Sequence, residues 1–139
     1  MNKALLDTDI ISEIGKAKNA TVAGHAKTYR RSFGHYTLSA VSVMEIVRGF
    51  QRTQAATRLN AFLVTLPHME VVLFDQSAAE LAGRIAGDLE RTGRPIGTAD
   101  TMIAAIAIEH GLELVTGNTT DFQRVQNLGY PLTLVNWRR

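Results

Sequence analysis

The chain has 139 residues, 45% of them hydrophobic and 20% charged, with a formal net charge of +2. Those are ordinary globular values, which exclude disorder and fibrous repeats and leave room for one compact domain over residues 1–139. The absence of cysteine removes disulfide frameworks, zinc–thiolate sites, iron–sulfur clusters and cysteine nucleophiles, and fits a reducing cytoplasm.

In chain order, Ala4-Leu5-Leu6 reads as a short buried strand. A brief helix follows through Ile10, Ile11 and Ile14 and stops at Gly15. Residues from about Thr21 to Ser32 read as a basic helix, Tyr36 to Leu38 as a strand, and Ser42 to Arg52 as a helix with Val43, Ile46, Val47 and Phe50 on one face. Another helix runs through Leu59, Phe62, Leu63 and Leu66 and is closed by Pro67. Glu70 to Phe74 reads as a strand, and Ser77 to Arg91 as a long helix with Leu81, Ile85 and Leu89 in phase.

The Gly93–Gly97 stretch breaks the chain before a nearly all-apolar helix, Thr98 to His110. Its Met102–Ile108 segment is the longest apolar run, far short of the roughly 20 residues of a membrane span. No basic start, long apolar stretch and cleavage site follow one another at the N-terminus, so a soluble cytoplasmic protein is expected. Leu114 to Thr116 and Leu132 to Val135 complete the strands. Continuous apolar strands alternating with helices predict a three-layer α/β/α fold on a parallel five-stranded sheet.

Ligands of open parallel sheets bind beyond the carboxyl ends of the strands. Asp7 follows the first strand, and Glu45 lies near the start of the helix after the second. Asp100 begins the apolar helix, and Asp121 follows the fourth strand through Thr116-Gly117-Asn118. Each acid has a bland alternative. Asp7 and Asp9 could form a turn or cap a helix, Ser42-x-x-Glu45 is a formal capping box, and Asn118 could cap the helix that holds Asp121. Taken together the alternatives weaken, because capping does not require carboxylates where Ser, Thr or Asn would serve.

Several carboxylates in one crevice repel, and an all-oxygen donor set without Cys or clustered His selects Mg²⁺ or Mn²⁺. Residues 16–58 carry eight basic side chains against the single acid Glu45, leaving the rest of the chain net acidic. An acidic metal pocket beside a basic flank suits cleavage of a nucleic-acid phosphodiester. Lys27, Arg30, Arg31, Arg48 and Arg52 are the candidate RNA contacts.

The Asp7-Thr8-Asp9 string also resembles the first motif of haloacid-dehalogenase-type phosphatases. Those need a downstream lysine, and no lysine follows Lys27 here. There is no G-x-x-x-x-G-K-[ST] and no G-x-S-x-G, and the four histidines lack ligand spacing. A nucleic-acid-binding module that does not cleave is the alternative from a different class.

Leu5-Leu6-Asp7-Thr8, Ser42-x-x-Glu45 with Gly49, Gly97-x-x-Asp100-x-x-Ile103-Ala104-Ala105, and Val115-Thr116-x-Asn118-x-x-Asp121-Phe122 occur in that order. Together they resemble the PIN-domain ribonucleases, specifically the toxins of VapBC-type toxin–antitoxin pairs. The resemblance implies a metal-dependent endoribonuclease acting on structured RNA, with tRNA as the leading substrate. It implies catalytic roles for Asp7, Glu45, Asp100 and Asp121, and polar support from Thr116 and Asn118. Asp7, Asp100 and Asp121 are the expected metal contacts. A homodimer silenced by a cognate antitoxin, whose tail lies over the catalytic groove, is also implied. Apart from the resemblance, Val47, Phe50, Phe62 and Leu63 read either as ordinary core or as a seat for an amphipathic partner segment. Asp9 stands where the family commonly has asparagine, and is read as a cap of the first helix, outside the catalytic set.

Overall fold

A computed structural model describes residues 1–139. Five strands, β1 (Ala4–Leu6), β2 (Thr37–Ser39), β3 (Glu70–Val72), β4 (Glu113–Val115) and β5 (Leu134–Val135), alternate with helices. The helices are α1 (Thr8–Lys16), α2 (Ala20–Phe33), α3 (Ala40–Arg52), α4 (Ala56–Thr65), α5 (Gln76–Arg91), α6 (Thr98–Glu109) and α7 (Thr119–Asn127). A 3₁₀ turn at Leu66–His68 carries Pro67 and ends α4.

All ladders are parallel. β1, β4 and β5 form one, in the order β1-β4-β5, and β2 pairs with β3 in another. β1 and β2 lie side by side in the same sense, since Lys3, just before β1, meets Glu70, the register partner of Thr37 at the start of β2, and Thr8 meets Ser42 after both strands. The continuous five-stranded sheet expected from sequence is therefore hydrogen-bonded as three plus two. Strands of three residues offer only one or two pairing groups on each edge, so a small splay between neighbours opens a ladder.

Side chains along each strand alternate between faces. Leu5 and Leu114 enter a core with Ala78, Ala82, Ile85 and Leu89 of α5, Ile103 to Ala107 of α6, and Phe122 and Val125 of α7. Ala4, Leu6 and Val115 face the opposite core, with Ile10 and Ile11 of α1, Val22, Ala26 and Tyr29 of α2, Ile46, Phe62 and Trp137. Three layers result, as the apolar patterning predicts. Helix α6 is the extreme case. Its residues 103–107 are all fully buried, so truncating Ile103 to Ala there would cost roughly 2–5 kcal/mol. No helix is long and apolar enough to cross a membrane.

Several boundaries differ from expectation in ways that matter for the site. Helix α1 continues past Gly15 to Lys16 and is capped by Ala17, which adopts the left-handed conformation (φ 52°). Strand β2 includes Ser39, so α3 starts two residues early, at Ala40, and Ser39, not Ser42, is its cap. Asp7 caps α1 and Asp9 sits in that helix's first turn, which overturns the reading of Asp9 as the cap.

Candidate active site

Strand β1 ends directly at Asp7, whose backbone N–H continues the ladder to the Val115 carbonyl (2.9 Å). Asp7 is 4% exposed. Its Oδ1 accepts from the Thr8 N–H (2.8 Å) and its Oδ2 from the Thr116 hydroxyl (2.7 Å). Thr116 in turn accepts from the Asn118 N–H (2.9 Å). The Asn118 side-chain amide then donates to Asp100 Oδ2 (3.3 Å) and Asp121 Oδ2 (3.2 Å). Asn118 makes no capping bond to α7; its amide is used between the two acids.

Glu45 joins from the other side. The Thr8 hydroxyl lies 2.6 Å from Glu45 Oε1 and 2.9 Å from Ser42 Oγ. A hydroxyl has one proton, and the carboxylate is the stronger acceptor, so Thr8 donates to Glu45 and Ser42 donates to Thr8. Ser39 accepts the Ser42 N–H (3.0 Å), which occupies the cap that a Ser42–Glu45 box would need. The capping-box alternative for Glu45 is thereby removed. One hydrogen-bonded chain thus runs Glu45–Thr8–Asp7–Thr116–Asn118 and ends on Asp100 and Asp121. The four acids expected from sequence meet at one end of the sheet.

Asp9 belongs to the same cluster. Its Oδ2 accepts the Gly117 N–H (2.9 Å) and lies 3.5 Å from the Arg138 guanidinium, while Oδ1 is buried with no partner. The fields add up. Burial pushes the Asp7 carboxyl up to about 7, assisted by the charges of Asp9 and Asp100 against the Thr116 and Thr8 bonds. Burial also raises Asp100 to about 6, with Glu45, Asp121 and Asp9 adding repulsion. Asp9 is raised as well, chiefly by burial, and the Gly117 bond and Arg138 oppose the rise.

The ion pairs here are Arg138 on Asp9 and, at 3.9 Å, Arg124 on Asp121; Asp7, Glu45 and Asp100 have no basic partner within 4 Å. All-oxygen donors with unbalanced negative charge fit a hard divalent cation. The carboxylates stand apart, with no three already drawn into one ligand shell.

The basic candidates divide. Arg48 and Arg52 are exposed on α3, three and seven residues after Glu45 and so on its face of the helix. Lys27, Arg30 and Arg31 are exposed on α2, where Arg30 lies over the Tyr36 ring (5.5 Å); no contact ties these three to the carboxylates. Of the apolar residues considered for a partner, Phe62 is core, whereas Leu63 is exposed together with Met44 and Val64. Thr8 and Ser42, quoted from sequence only as parts of motifs, and Arg124 and Arg138 lie at the site without a role having been assigned to them. The DT pair after a strand was a usable signal for Thr8; nothing in local spacing marks the two arginines.

The PIN domain family model matches residues 4–128. A tRNA(fMet)-specific endonuclease VapC of Shigella flexneri is 36% identical over 129 residues, covering 92% of this chain and 96% of that protein. Ribonuclease VapC2 of Haemophilus influenzae is 28% identical, covering 90% and 93%. In solved structures, the DNA-bound VapBC of Salmonella typhimurium superposes with a TM-score of 0.82 at 28% identity, over 99% of both chains. The class defined by this fold and acidic crevice is the PIN domain. The chain belongs to the PIN-domain family, on its VapC ribonuclease branch.

Proposed function

We propose that the chain is the toxin of a toxin–antitoxin pair and cleaves RNA endonucleolytically with a divalent cation, Mg²⁺ or Mn²⁺. The observation that carries this reading is the single hydrogen-bonded chain linking Glu45, Asp7, Asp100 and Asp121 through Thr8, Thr116 and Asn118. Asp7, Asp100 and Asp121 would hold the cation. When bound, it supplies charge against the phosphoryl oxygens and lowers the pKa of water.

The remaining steps fall to the protein's side chains. Glu45, fixed by Thr8, orients the attacking water and takes its proton. Thr116 holds Asp7 in one rotamer, and Asn118 keeps Asp100 and Asp121 apart at a set spacing. No histidine or lysine touches this network, so attack by water rather than by the RNA 2′-hydroxyl follows, leaving 5′-phosphate and 3′-hydroxyl ends. Arg48 and Arg52, on the Glu45 face of α3, would hold the RNA backbone with salt-dependent affinity. Lys27, Arg30 and Arg31 would extend that grip along α2.

The VapC relative from Shigella flexneri is specific for tRNA(fMet), which supports tRNA as the substrate class. The VapBC structures support a protein antitoxin as the partner, with Met44, Leu63 and Val64 as apolar contacts. A homodimer is the proposed assembly.

The test is digestion of purified tRNA and total RNA with Mg²⁺, with Mn²⁺ and with chelator, alongside Asp7→Asn. Metal-dependent cleavage lost in the variant supports the reading. RNA binding without cleavage under every condition would favour the non-cleaving module.

A further inference from the structure

Beyond β5 the chain does not trail away. Trp137 is 2% exposed and packs on Tyr29 (ring centroids 5.7 Å) and His25 (6.0 Å, stacked). His25 Nε2 lies 3.1 Å from the Arg139 carbonyl. The anchor fixes where Arg138 reaches. Its Nη2 lies 3.2 Å from Glu13 Oε1 and 3.5 Å from Asp9 Oδ2. The guanidinium also covers Gly117 so closely that any Cβ there would overlap it.

Gly117 donates its N–H to the same Asp9 oxygen. Its neighbours are Thr116, which holds Asp7, and Asn118, which holds Asp100 and Asp121. Arg138 is thus the one cation paired with Asp9, delivered from 129 residues further along the chain.

We infer that Arg138 is a built-in counter-charge of the active site: it neutralises Asp9, pins the Gly117 turn, and sets how tightly the crevice holds a divalent cation. It is a positioning residue, since it touches Asp9 and the turn rather than the reacting groups. The inference rests on the proposed metal site. Without Arg138 both Glu13 and Asp9 lose their cation, and Asp9, the one in the cluster, leaves the crevice with one more uncompensated negative charge. It should then bind a divalent cation more tightly while its metal-free form is less stable. An ordinary ion pair that merely tacks down the segment would lower stability without changing cation affinity.

Neutral substitution on each side of the pair separates these. Wild type, Arg138→Gln, Asp9→Asn and the double variant are titrated with Mn²⁺, free ion being read by electron paramagnetic resonance, and their metal-free melting temperatures are compared. Arg138→Gln should tighten Mn²⁺ binding on the order of fivefold, as expected for one added charge at a partly hydrated site. Asp9→Asn should weaken it similarly, and the double variant should return close to wild type. Arg138→Lys should stay near wild type, because it keeps the charge.

Unchanged affinity in Arg138→Gln, or a double variant that stays as tight as Arg138→Gln, overturns the inference. Failure of wild type and every variant to bind Mn²⁺ sinks the metal reading and the affinity role that rests on it. The metal-free cycle still judges the neutralisation of Asp9: a stability loss in Arg138→Gln that Asp9→Asn does not relieve overturns that part too.

Discussion

The two ends of the same small sheet treat carboxylates in opposite ways. Where the strands begin, Glu70 bonds Lys3 (2.8 Å) and accepts from the Thr37 hydroxyl (2.9 Å), and Glu113 accepts from Asn2 (3.0 Å). The Lys3 bond holds Glu70 below the usual carboxylate range, and Lys3 is raised in return. After the strands, burial pushes Asp7, Asp9 and Asp100 upward, and nearby carboxylates repel Asp7 (Asp9 and Asp100), Asp100 (Glu45, Asp121 and Asp9) and Asp9 (Glu13). One end satisfies its charges and the other stores a repulsion. Stored repulsion of that kind marks a site that something else is meant to complete.

The comparison breaks most visibly at Asp7. Asp7→Asn removes an ionised ligand while keeping shape, and RNA cleavage should fall on the order of 10²–10³-fold. Its metal-free melting temperature at neutral pH should rise, because one repelling charge is gone. A variant that is both fully active and no more stable would mean that the two ends of the sheet do not differ in kind.

Glu45→Gln comes next, with an expected loss of about 10² in cleavage rate if Glu45 handles the proton of water. Glutamine can still accept from Thr8, so the melting temperature should barely move. Equal activity of the two proteins would remove Glu45 from the catalytic set.

A pH series sharpens the contrast without mutation. Asp7 (about 7) and Asp100 (about 6) both lie above their ordinary value of 3.8. The folded chain therefore takes up protons before the unfolded one, and stability is gained as pH falls through that window. The metal-free melting temperature should rise between about pH 8 and about pH 5, and Asp7→Asn should flatten much of the rise. A melting temperature that falls steadily over the same range would contradict the raised carboxyls.

The smallest effect belongs to the opposite end. Lys3→Met breaks an ion pair whose side chains are 44% and 41% exposed, so it should cost within about 1 kcal/mol. Cleavage should not change, as measured by initial rates beside denaturant unfolding. A large loss of activity would mean that charge before the strands is felt at the site.

Much of this was readable along the chain. The unbroken apolar run of α6 could only be buried, and it is. The short strands showed as apolar triplets between helical patterns, and their order placed Asp7, Glu45, Asp100 and Asp121 at one end before any coordinates. What local pattern misjudged was register and partnership. Ser39 and Ser42 are both competent caps, and a one-residue extension of β2 decides between them. Thr8 reaches Glu45 across 37 positions and Arg138 reaches Glu13 across 125. Contacts of that span leave no periodicity. They exist only once the layers are stacked.

The placement of the acids on helix starts has one more consequence. Asp7 is the cap of α1, Asp100 and Asp121 sit in the first turns of α6 and α7, and Glu45 is in the second turn of α3. Four helices of nine to thirteen residues thus turn their amide ends toward the crevice. Each amide end carries about half a positive charge, roughly two elementary charges in all. The crevice is negative in its side chains and positive in its backbone. An RNA phosphate therefore approaches a surface whose repulsion lies entirely in groups that a cation or a proton can silence. Once they are silenced, what remains is the positive field of the helix starts, which favours an anion. An Asp→Asn variant should therefore keep its grip on RNA while losing cleavage, as a filter-binding assay beside the digestion would read.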